Sequence, residues 1–266
     1  MVERSAGRGR LIAVGTGIRI VGQITTEAIA WIRRADRVFT LISDPVADET
    51  IRRLNPGGVE SLSTFYEDRK PREITYRQMA GRVMECVREG SITCIASYGH
   101  PGVFADPVHE AVRRAREEGF PAQILPAISA EDCLFADLGV DPARSGCQSY
   151  DATDFLVHGR MIDPSSCLIL WQIGAVGEPL FRADGYPLSL LPILVDRLAR
   201  IHPLGHVGYL YEAPAHLGAG PMIRAVALGS LTGERFSTSS TLYIPPSRPP
   251  RPDPDVVARI NSMRGQ

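Results

Sequence analysis

Short apolar runs alternate with helical patterns through the first half of the chain, and this alternation limits the possible folds more than any other feature. The runs are LIAVG (11–15), RVFTL (37–41), ITCIAS (92–97) and AQIL (122–125). Apolar runs of this length are typical of strands that are buried on both faces. Strands that alternate with helices predict an α/β fold with a mostly parallel sheet covered by helices on both sides.

The helices between these runs are predicted from capping residues and apolar periodicity. They extend from Thr25 or Thr26 to about Ala35, from about Tyr76 to Arg88, and from a cap at Asp106 to Gly119. Residues 43–75 are expected to be irregular and polar. Ser129, followed three residues later by Asp132, has the pattern of a capping box and predicts another helix start.

After about residue 126 the apolar segments are more widely spaced, and this change predicts three parts of the chain. Residues 1–126 form a first α/β domain, residues 127–246 a second, and residues 247–266 a proline-rich tail with a short helix from Asp253 or Asp255. In the second domain, CLILWQ (167–172), HVGYLY (206–211) and STLYIPP (240–246) are apolar segments, with a helix around 188–200.

Composition excludes several classes of protein. The formal net charge of −1 favours neither nucleic acid nor an anionic membrane as a partner. The first ten residues contain no apolar stretch of the kind found in a signal peptide, so a cytoplasmic location is expected. The five cysteines and six histidines show no spacing that is typical of metal ligands, and no metal is expected.

Loops that contain small residues follow three of the predicted strands. GTGIRIVG (15–22) does not match a dinucleotide fingerprint, because Ile20 stands where the third glycine is required. YGHPGVF (98–104) and LPAISAED (125–132) leave the carboxyl ends of two further strands. Ligands of parallel sheets bind at that edge, so these loops predict a pocket for a flat, polar cofactor.

Together these motifs resemble a known family. VGTG before a Thr-led helix, ADRVF, a GxPxxF loop and LPxxSA are similar to the tetrapyrrole-methylase class of S-adenosylmethionine-dependent methyltransferases. The resemblance implies two α/β domains, with the cofactor in the cleft between them, and a homodimer. Ordinary members carry GDP in the third loop, whereas this chain carries Gly99-His100-Pro101.

A narrower resemblance covers about residues 10–246. YGHPGVFADP, LPAISAEDCLFADLGVDP, SYDATDFL and TFYEDRKPREITY are similar to the borosin α-N-methyltransferases, which methylate backbone amides of a ribosomally made peptide. This resemblance implies a catalytic group of Tyr66, Arg72, Tyr76 and Tyr98. It implies cofactor contacts from Tyr98, His100, Val103, Ser129, Ala130, Gln172, Tyr211, Ala213, Ser240 and Thr241. S-adenosylhomocysteine would be the product.

A mechanistic hypothesis follows for the charged stretch 64–76. A tyrosine has an ordinary pKa of about 10, so a neutral-pH base needs about 4 kcal/mol of help. One arginine ~4 Å away supplies about that much at an effective dielectric of 20. We expect Arg72 to assist Tyr76 as the base and to stabilise the carbonyl oxygen, with Tyr66 holding that oxygen and Tyr98 orienting the amide. Arg69 and Lys70 are expected to face solvent, although the sequence does not exclude a swap of roles.

The last residues of the chain differ from those of fungal borosins, which carry a helical clasp and an apolar core peptide. DVVARINSMRGQ is neither, so we expect a split enzyme that acts on a separately encoded precursor peptide, as a homodimer or a heterotetramer with that peptide. Two alternatives stay open. One is a methyltransferase of tetrapyrroles or other small molecules, and the other is an inactive scaffold that binds a peptide.

Overall fold

The computed structural model of the protein describes residues 9–214 and 218–264, which form two compact units. The first unit contains the described residues up to Gly139, the segment 178–185 and the described part of 213–221. The second contains residues 140–177, 186–212 and 222–264. The first unit thus extends past residue 126, the expected boundary, and takes in two segments from later in the chain.

The first unit is built on a five-stranded parallel sheet with the strand order β3-β2-β4-β1-β5. Its elements are β1 (Arg10–Gly15), α1 (Ile20–Gln23), α2 (Thr26–Arg34), β2 (Arg37–Leu41), α3 (Pro45–Leu54), β3 (Val59–Ser61), α4 (Arg72–Arg88), β4 (Ile92–Ser97), α5 (Asp106–Glu117), β5 (Ala122–Ile124) and α6 (Ala130–Leu138). The predicted parallel sheet is confirmed.

Successive side chains of the central strand β1 enter two different cores. Leu11 and Ala13 pack in a cluster with side chains of α4 and α5, whereas Ile12 and Val14 pack with side chains of α2 and α3. Both faces of the sheet are therefore covered by helices, which explains why the strands are continuous apolar runs.

The expectation of an irregular segment at residues 43–75 is wrong. Helix α3, strand β3 and a 3-10 turn at Leu62–Phe65 lie within it, and α4 begins at Arg72, four residues before the predicted start at Tyr76. Asp44 caps α3 by accepting hydrogen bonds from the Val46 and Ala47 backbone N–H groups. The charged first turn of α4 conceals its start, because few apolar residues there reveal the helical period.

Two predicted helix caps are confirmed, and a third is wrong. The Thr25 hydroxyl accepts from the Ala28 N–H, and Ser129 forms a reciprocal capping box with Asp132. Asp106 is instead the first residue of α5, after Ala105, and makes no side-chain cap.

The second unit contains a five-stranded mixed sheet with the order β6-β7-β10-β8-β9. Its elements are α7 (Pro142–Ser145), β6 (Cys147–Asp151), α8 (Ala152–Val157), β7 (Cys167–Trp171), α9 (Leu191–Ala199), β8 (Val207–Glu212), β9 (Met222–Ala227), β10 (Thr241–Ile244) and α10 (Pro254–Arg264). Only β6 and β7 are parallel among these described pairings. Leucines of β7, β8 and β10 pack against Leu194 and Leu198 of α9.

In the described part of the tail, a segment without regular secondary structure is followed by helix α10. Asp253 accepts hydrogen bonds from the Asp255 and Val256 backbone N–H groups and so begins α10, whose residues are all exposed. None of the helices within residues 9–214 and 218–264 is long and apolar enough to cross a bilayer.

Candidate active site

The carboxyl ends of all five strands in the first unit lie at one edge of its sheet, because the strands are parallel. The loops after β1 and β4 are joined there by two backbone hydrogen bonds. The Gly99 N–H donates to the Gly17 carbonyl over 3.0 Å, and the Gly17 N–H donates to the Gly99 carbonyl over 3.3 Å. Open parallel sheets bind their ligands at this edge.

Gly15 lies where three loops converge. A Cβ atom at this position would clash with the Gly99 carbonyl oxygen, the Pro101 ring and the Ala127 side chain. Those three residues belong to the loops after β4 and β5, so the predicted gathering of the three small-residue loops is confirmed. Close approach of backbone to backbone at this point requires glycine.

The predicted cofactor residues of the first unit lie in these loops. His100 Nδ1 accepts a hydrogen bond from the Gly102 N–H over 2.9 Å, which leaves Nε2 as the protonated nitrogen of the neutral ring. The Val103 side chain is exposed. Ser129 is buried and its hydroxyl is engaged with Asp132, so its contribution to a ligand would come from the backbone, as it would for Ala130 at the start of α6.

Tyr98 follows β4 at the same edge and is 45% exposed. Its backbone N–H continues the pairing with β2 by donating to the Leu41 carbonyl. Burial, with smaller contributions from Cys133 and Asp44, raises the pKa of the Tyr98 phenol above its ordinary value. This phenol is therefore protonated at neutral pH and suited to donate a hydrogen bond rather than to act as a base.

Tyr66, Arg72 and Tyr76 form a second group at this edge. The rings of Tyr66 and Tyr76 meet edge to face, with centroids 6.5 Å apart. Arg72 and Tyr76 are four residues apart on α4 and therefore lie on one face of that helix. Since α4 follows β3 and returns along the sheet, its first turn lies near the carboxyl ends of the strands.

A segment from much later in the chain packs against this group, and sequence reasoning missed it. The Arg69 N–H donates to the Phe181 carbonyl, and the Phe181 N–H donates to the Lys70 carbonyl. The Arg72 N–H donates to the Pro179 carbonyl, and the Arg72 guanidinium donates to the Glu178 carbonyl. We call residues 178–183 the strap. The only local signal for it is the spacing of Glu178 and Arg182, which suits an ion pair.

Lys70 differs from its expected position. It is half-buried, and its Nζ donates to the Phe65 carbonyl over 2.9 Å. Arg69 faces solvent as expected, with its side chain 77% exposed. Neither side chain occupies the place of Arg72 in the strap contacts.

The second unit brings four other predicted residues to one end of its sheet. Thr241 in β10 lies directly opposite Tyr211 in β8, and both are buried. Ser240 immediately precedes β10, and Gln172 immediately follows the neighbouring strand β7. Gln172 has a φ of 57°, a left-handed conformation that is uncommon outside glycine and is often found at functional sites. Ala213 follows the end of β8.

Glu212 organises the loop before β10. The hydroxyl groups of Ser237 and Ser240 both donate to Glu212 Oε1, and the Ser240 hydroxyl accepts from the Ser237 N–H over 2.8 Å. Sequence reasoning did not identify Glu212, because a carboxylate at a strand end has no distinctive pattern.

Comparison with known proteins places the chain in a family. The family described as tetrapyrrole (corrin/porphyrin) methylases matches residues 10–154, more than half of the chain. The chain belongs to the tetrapyrrole methylase family. The match covers the loops after β1, β4 and β5, and the expectation of an S-adenosylmethionine-dependent methyltransferase is therefore confirmed at the level of the family.

Several fungal relatives match nearly the whole chain. The methyltransferase/ribosomally synthesized cyclic peptide dendrothelin A precursor of Dendrothele bispora is 40% identical over 96% of this chain, and the omphalotin A precursor of Omphalotus olearius is 37% identical over 96%. A type III borosin cyclic peptide precursor of Anomoporia bombycina is 39% identical over 96%. The chain spans 62% of the length of the first two and 30% of the third.

Solved structures support the fold of this tetrapyrrole methylase. Uroporphyrin-III-C-methyltransferase from Thermus thermophilus superposes with a TM-score of 0.64 at 19% identity, covering 91% of this chain and 94% of that chain. A diphthine synthase superposes with a TM-score of 0.56 at 16% identity, covering 88% and 89%. The expected two-domain α/β architecture of the family is confirmed.

Within the described residues, no group of three or more His, Cys, Asp or Glu side chains is placed to hold a metal ion. The catalytic and cofactor-binding roles of the residues above stay predictions. What the structure establishes is their placement. Eight of the thirteen lie at the carboxyl edge of the first sheet, four lie at one end of the second, and Ala213 directly follows β8.

Proposed function

We propose that the protein is an S-adenosylmethionine-dependent methyltransferase that methylates backbone amide nitrogens of a ribosomally synthesised peptide. The observation that carries the proposal is that Tyr66, which precedes α4, meets Tyr76 of that helix edge to face, with Arg72 on the same helix face as Tyr76. Two phenols and a guanidinium are not needed to bind the cofactor, but they suit an amide substrate. The names of the fungal relatives, which join a methyltransferase to a peptide precursor, support the same substrate class.

The convergence at Gly15 fits the proposed cofactor. The loops after β1, β4 and β5 approach one another closely there, and glycine at positions 15, 17 and 99 suits a site in which a flat nucleoside and its polar tail lie near the backbone. The proposal keeps the cofactor contacts that the family resemblance implies for Gln172, Tyr211, Ala213, Ser240 and Thr241. When bound, the cofactor supplies an electrophilic methyl group.

The difficult partner in the reaction is the amide nitrogen. Its lone pair is delocalised into the carbonyl group, so the neutral amide is a poor nucleophile. The Tyr76 phenolate accepts the amide proton, and the negative charge that remains is shared with the carbonyl oxygen. The Arg72 guanidinium and the Tyr66 hydroxyl stabilise that oxygen by donating hydrogen bonds. The nitrogen then gains a methyl group, and the phenolate becomes a phenol.

Tyr98 has a different part in this scheme. Because burial keeps its phenol protonated, Tyr98 donates a hydrogen bond that orients the amide. In the proposed scheme Tyr98 is the hydrogen-bond donor and Tyr76 is the base.

The proposal includes a peptide that is supplied as a separate chain. The proposal also includes a homodimer that binds the precursor, which light scattering after gel filtration would detect.

The test uses purified protein, S-adenosylmethionine and a precursor peptide encoded beside the gene, added either as a separate chain or fused to the carboxyl terminus. We expect mass increases of 14 Da per methyl group, located on backbone nitrogens by tandem mass spectrometry, with the separate peptide. Tyr76→Phe and Arg72→Ala should abolish transfer while calorimetry shows unchanged cofactor binding. Arg77→Ala is the matched control, because Arg77 lies on the same helix with its side chain 58% exposed.

Other outcomes would overturn the proposal. Methylation of uroporphyrinogen but not of peptide would support a small-molecule methyltransferase. Peptide binding without methylation, with cofactor bound, would support an inactive scaffold. Methylation of the fused peptide alone would contradict action on a separate chain.

A further inference from the structure

The strap, residues 178–183, lies against the segment that carries Tyr66 and Arg72, although more than 100 residues separate them along the chain. Pro71 and Leu180 form an antiparallel bridge, extended by the backbone hydrogen bonds of Arg69 and Arg72. Asp68 accepts a further hydrogen bond from the Ala183 N–H over 3.1 Å. The strap thus contacts every residue from Asp68 to Arg72 and fixes the chain where α4 begins.

The strap also contacts two of the three grouped side chains. The Phe181 ring lies against the Tyr66 ring, with centroids 4.7 Å apart and planes inclined by 31°. The Arg72 guanidinium donates to the Glu178 carbonyl. One short segment therefore limits the rotation of a phenol and directs a guanidinium.

The Glu178 carboxylate holds the strap in its shape. Its Oε1 accepts from the Leu180 N–H over 3.1 Å, and its Oε2 accepts from Arg182 Nε over 2.9 Å. The side chain is 12% exposed, so these contacts are only partly screened by water. The hydrogen bond from the Leu180 N–H lowers the pKa of the Glu178 carboxyl below its ordinary value. The hydrogen bond and positive charge of Arg182, and the charge of Arg72, lower it further.

From these contacts we infer that Glu178 is a positioning residue for Arg72, and that its negative charge, balanced by Arg182, sets how strongly Arg72 favours the phenolate of Tyr76. This inference rests on the proposed function. A carboxylate near the guanidinium opposes the positive field at the phenol, and Arg182 offsets that carboxylate. Removal of the two strap charges should therefore have opposite electrostatic effects on the base.

Two variants test this inference by the pH dependence of kcat for peptide methylation. Glu178→Gln removes the negative charge, so the phenolate forms more readily and the acidic limb of the profile moves to lower pH. Arg182→Gln leaves Glu178 unbalanced, so the acidic limb moves to higher pH. In both variants kcat at the optimum should fall roughly 10²-fold, because small displacements of a catalytic group have effects of that size. The KM for S-adenosylmethionine should stay unchanged.

Glu73→Gln is the matched control. Glu73 is adjacent to Arg72 in sequence and makes an ion pair with Arg77, but its side chain is 82% exposed, so its charge is screened by water. The pH profile of this variant should coincide with that of the wild type. Shifts in the same direction for Glu178→Gln and Arg182→Gln, or no shift in either, would overturn the inference, since a purely structural role predicts no opposite shifts.

A second measurement separates failure of this inference from failure of the proposed function. Amide hydrogen exchange, followed by mass spectrometry, reports the strap without any substrate. Glu178→Gln should accelerate exchange in peptides covering residues 66–76 and 178–185 about tenfold, whereas Glu73→Gln should not. If the wild type methylates no peptide, accelerated exchange still supports the positioning role, and unchanged exchange overturns it.

Discussion

The Tyr66 and Tyr76 rings meet nearly at right angles, with an interplanar angle of 87° and 6.5 Å between centroids. The two tyrosines are ten positions apart in the sequence, and the nine residues between them include three acidic residues, three basic residues that differ in exposure, and a proline. Of those basic residues, Arg72 lies on the face of α4 that carries Tyr76. Arg72 is therefore the basic residue of this segment that we expect to act beside Tyr76.

Replacement of Arg72 by lysine should reduce kcat for peptide methylation roughly 10²-fold, a loss typical of a displaced catalytic group. Lysine keeps the charge but lacks the planar fork that directs separate N–H groups to the Glu178 carbonyl and to the substrate. Steady-state kinetics with a saturating cofactor would measure the loss. Arg77→Lys, on the exposed side of the same helix, should retain wild-type kcat. Equal activity of the two variants would contradict the role of Arg72.

Replacement of Gly15 by alanine should destabilise the first unit by about 1–3 kcal/mol, the usual range for overpacking. The added methyl group would meet the Gly99 carbonyl, the Pro101 ring and the Ala127 side chain. Urea denaturation would measure the change. Gly57→Ala is the control, because a Cβ atom there meets nothing within 4 Å, and it should stay within about 0.5 kcal/mol of the wild type. Similar stability of both variants would contradict this prediction, because it would show that the three loops can move apart to accommodate a methyl group.

Replacement of Glu212 by glutamine should weaken cofactor binding about fivefold. Ser237 and Ser240 donate to this carboxylate, and a hydrogen bond to a charged acceptor is stronger than one to an amide by about 1 kcal/mol. A less rigid Ser240 would hold the proposed cofactor less firmly. Titration calorimetry with S-adenosylhomocysteine gives the affinity. Glu234→Gln, which removes an ion pair with Arg224 in the same unit, should bind normally, and an equal decrease there would argue against a specific role.

Stability should fall at alkaline pH because of Tyr243. Burial, more than the nearby Cys167 and Cys147 thiols, raises the pKa of its phenol to about 12. The unfolded chain loses this proton at a pKa of about 10, so the stabilisation is complete below that pH and is lost as pH rises through 12. Tyr243→Phe should therefore show a smaller decrease in unfolding free energy between pH 9 and pH 11. Parallel curves for wild type and variant would contradict the assignment.

The local sequence was sufficient for many of the elements. Each of the four apolar runs in the first half is a strand of the parallel sheet, and the Ser129 capping box begins α6. The position of the small-residue loops directly after these runs predicts their place at the carboxyl edge of the sheet. The strands and the capping box depend on interactions between residues that are close in sequence. The common edge of the loops follows because all strands of a parallel sheet end on the same side.

The sequence by itself therefore determined the strands that are continuous apolar runs, several helix caps and the residues that gather at the sheet edge, but not strands β3, β6 and β9. Only the tertiary structure decided that the strap would lie beside residues 68–72 and direct Arg72 through the Glu178 carbonyl. The strap is held mainly by backbone hydrogen bonds and one ring contact between distant segments. Such contacts follow from the path of the chain and not from a residue pattern, so no local period reveals them.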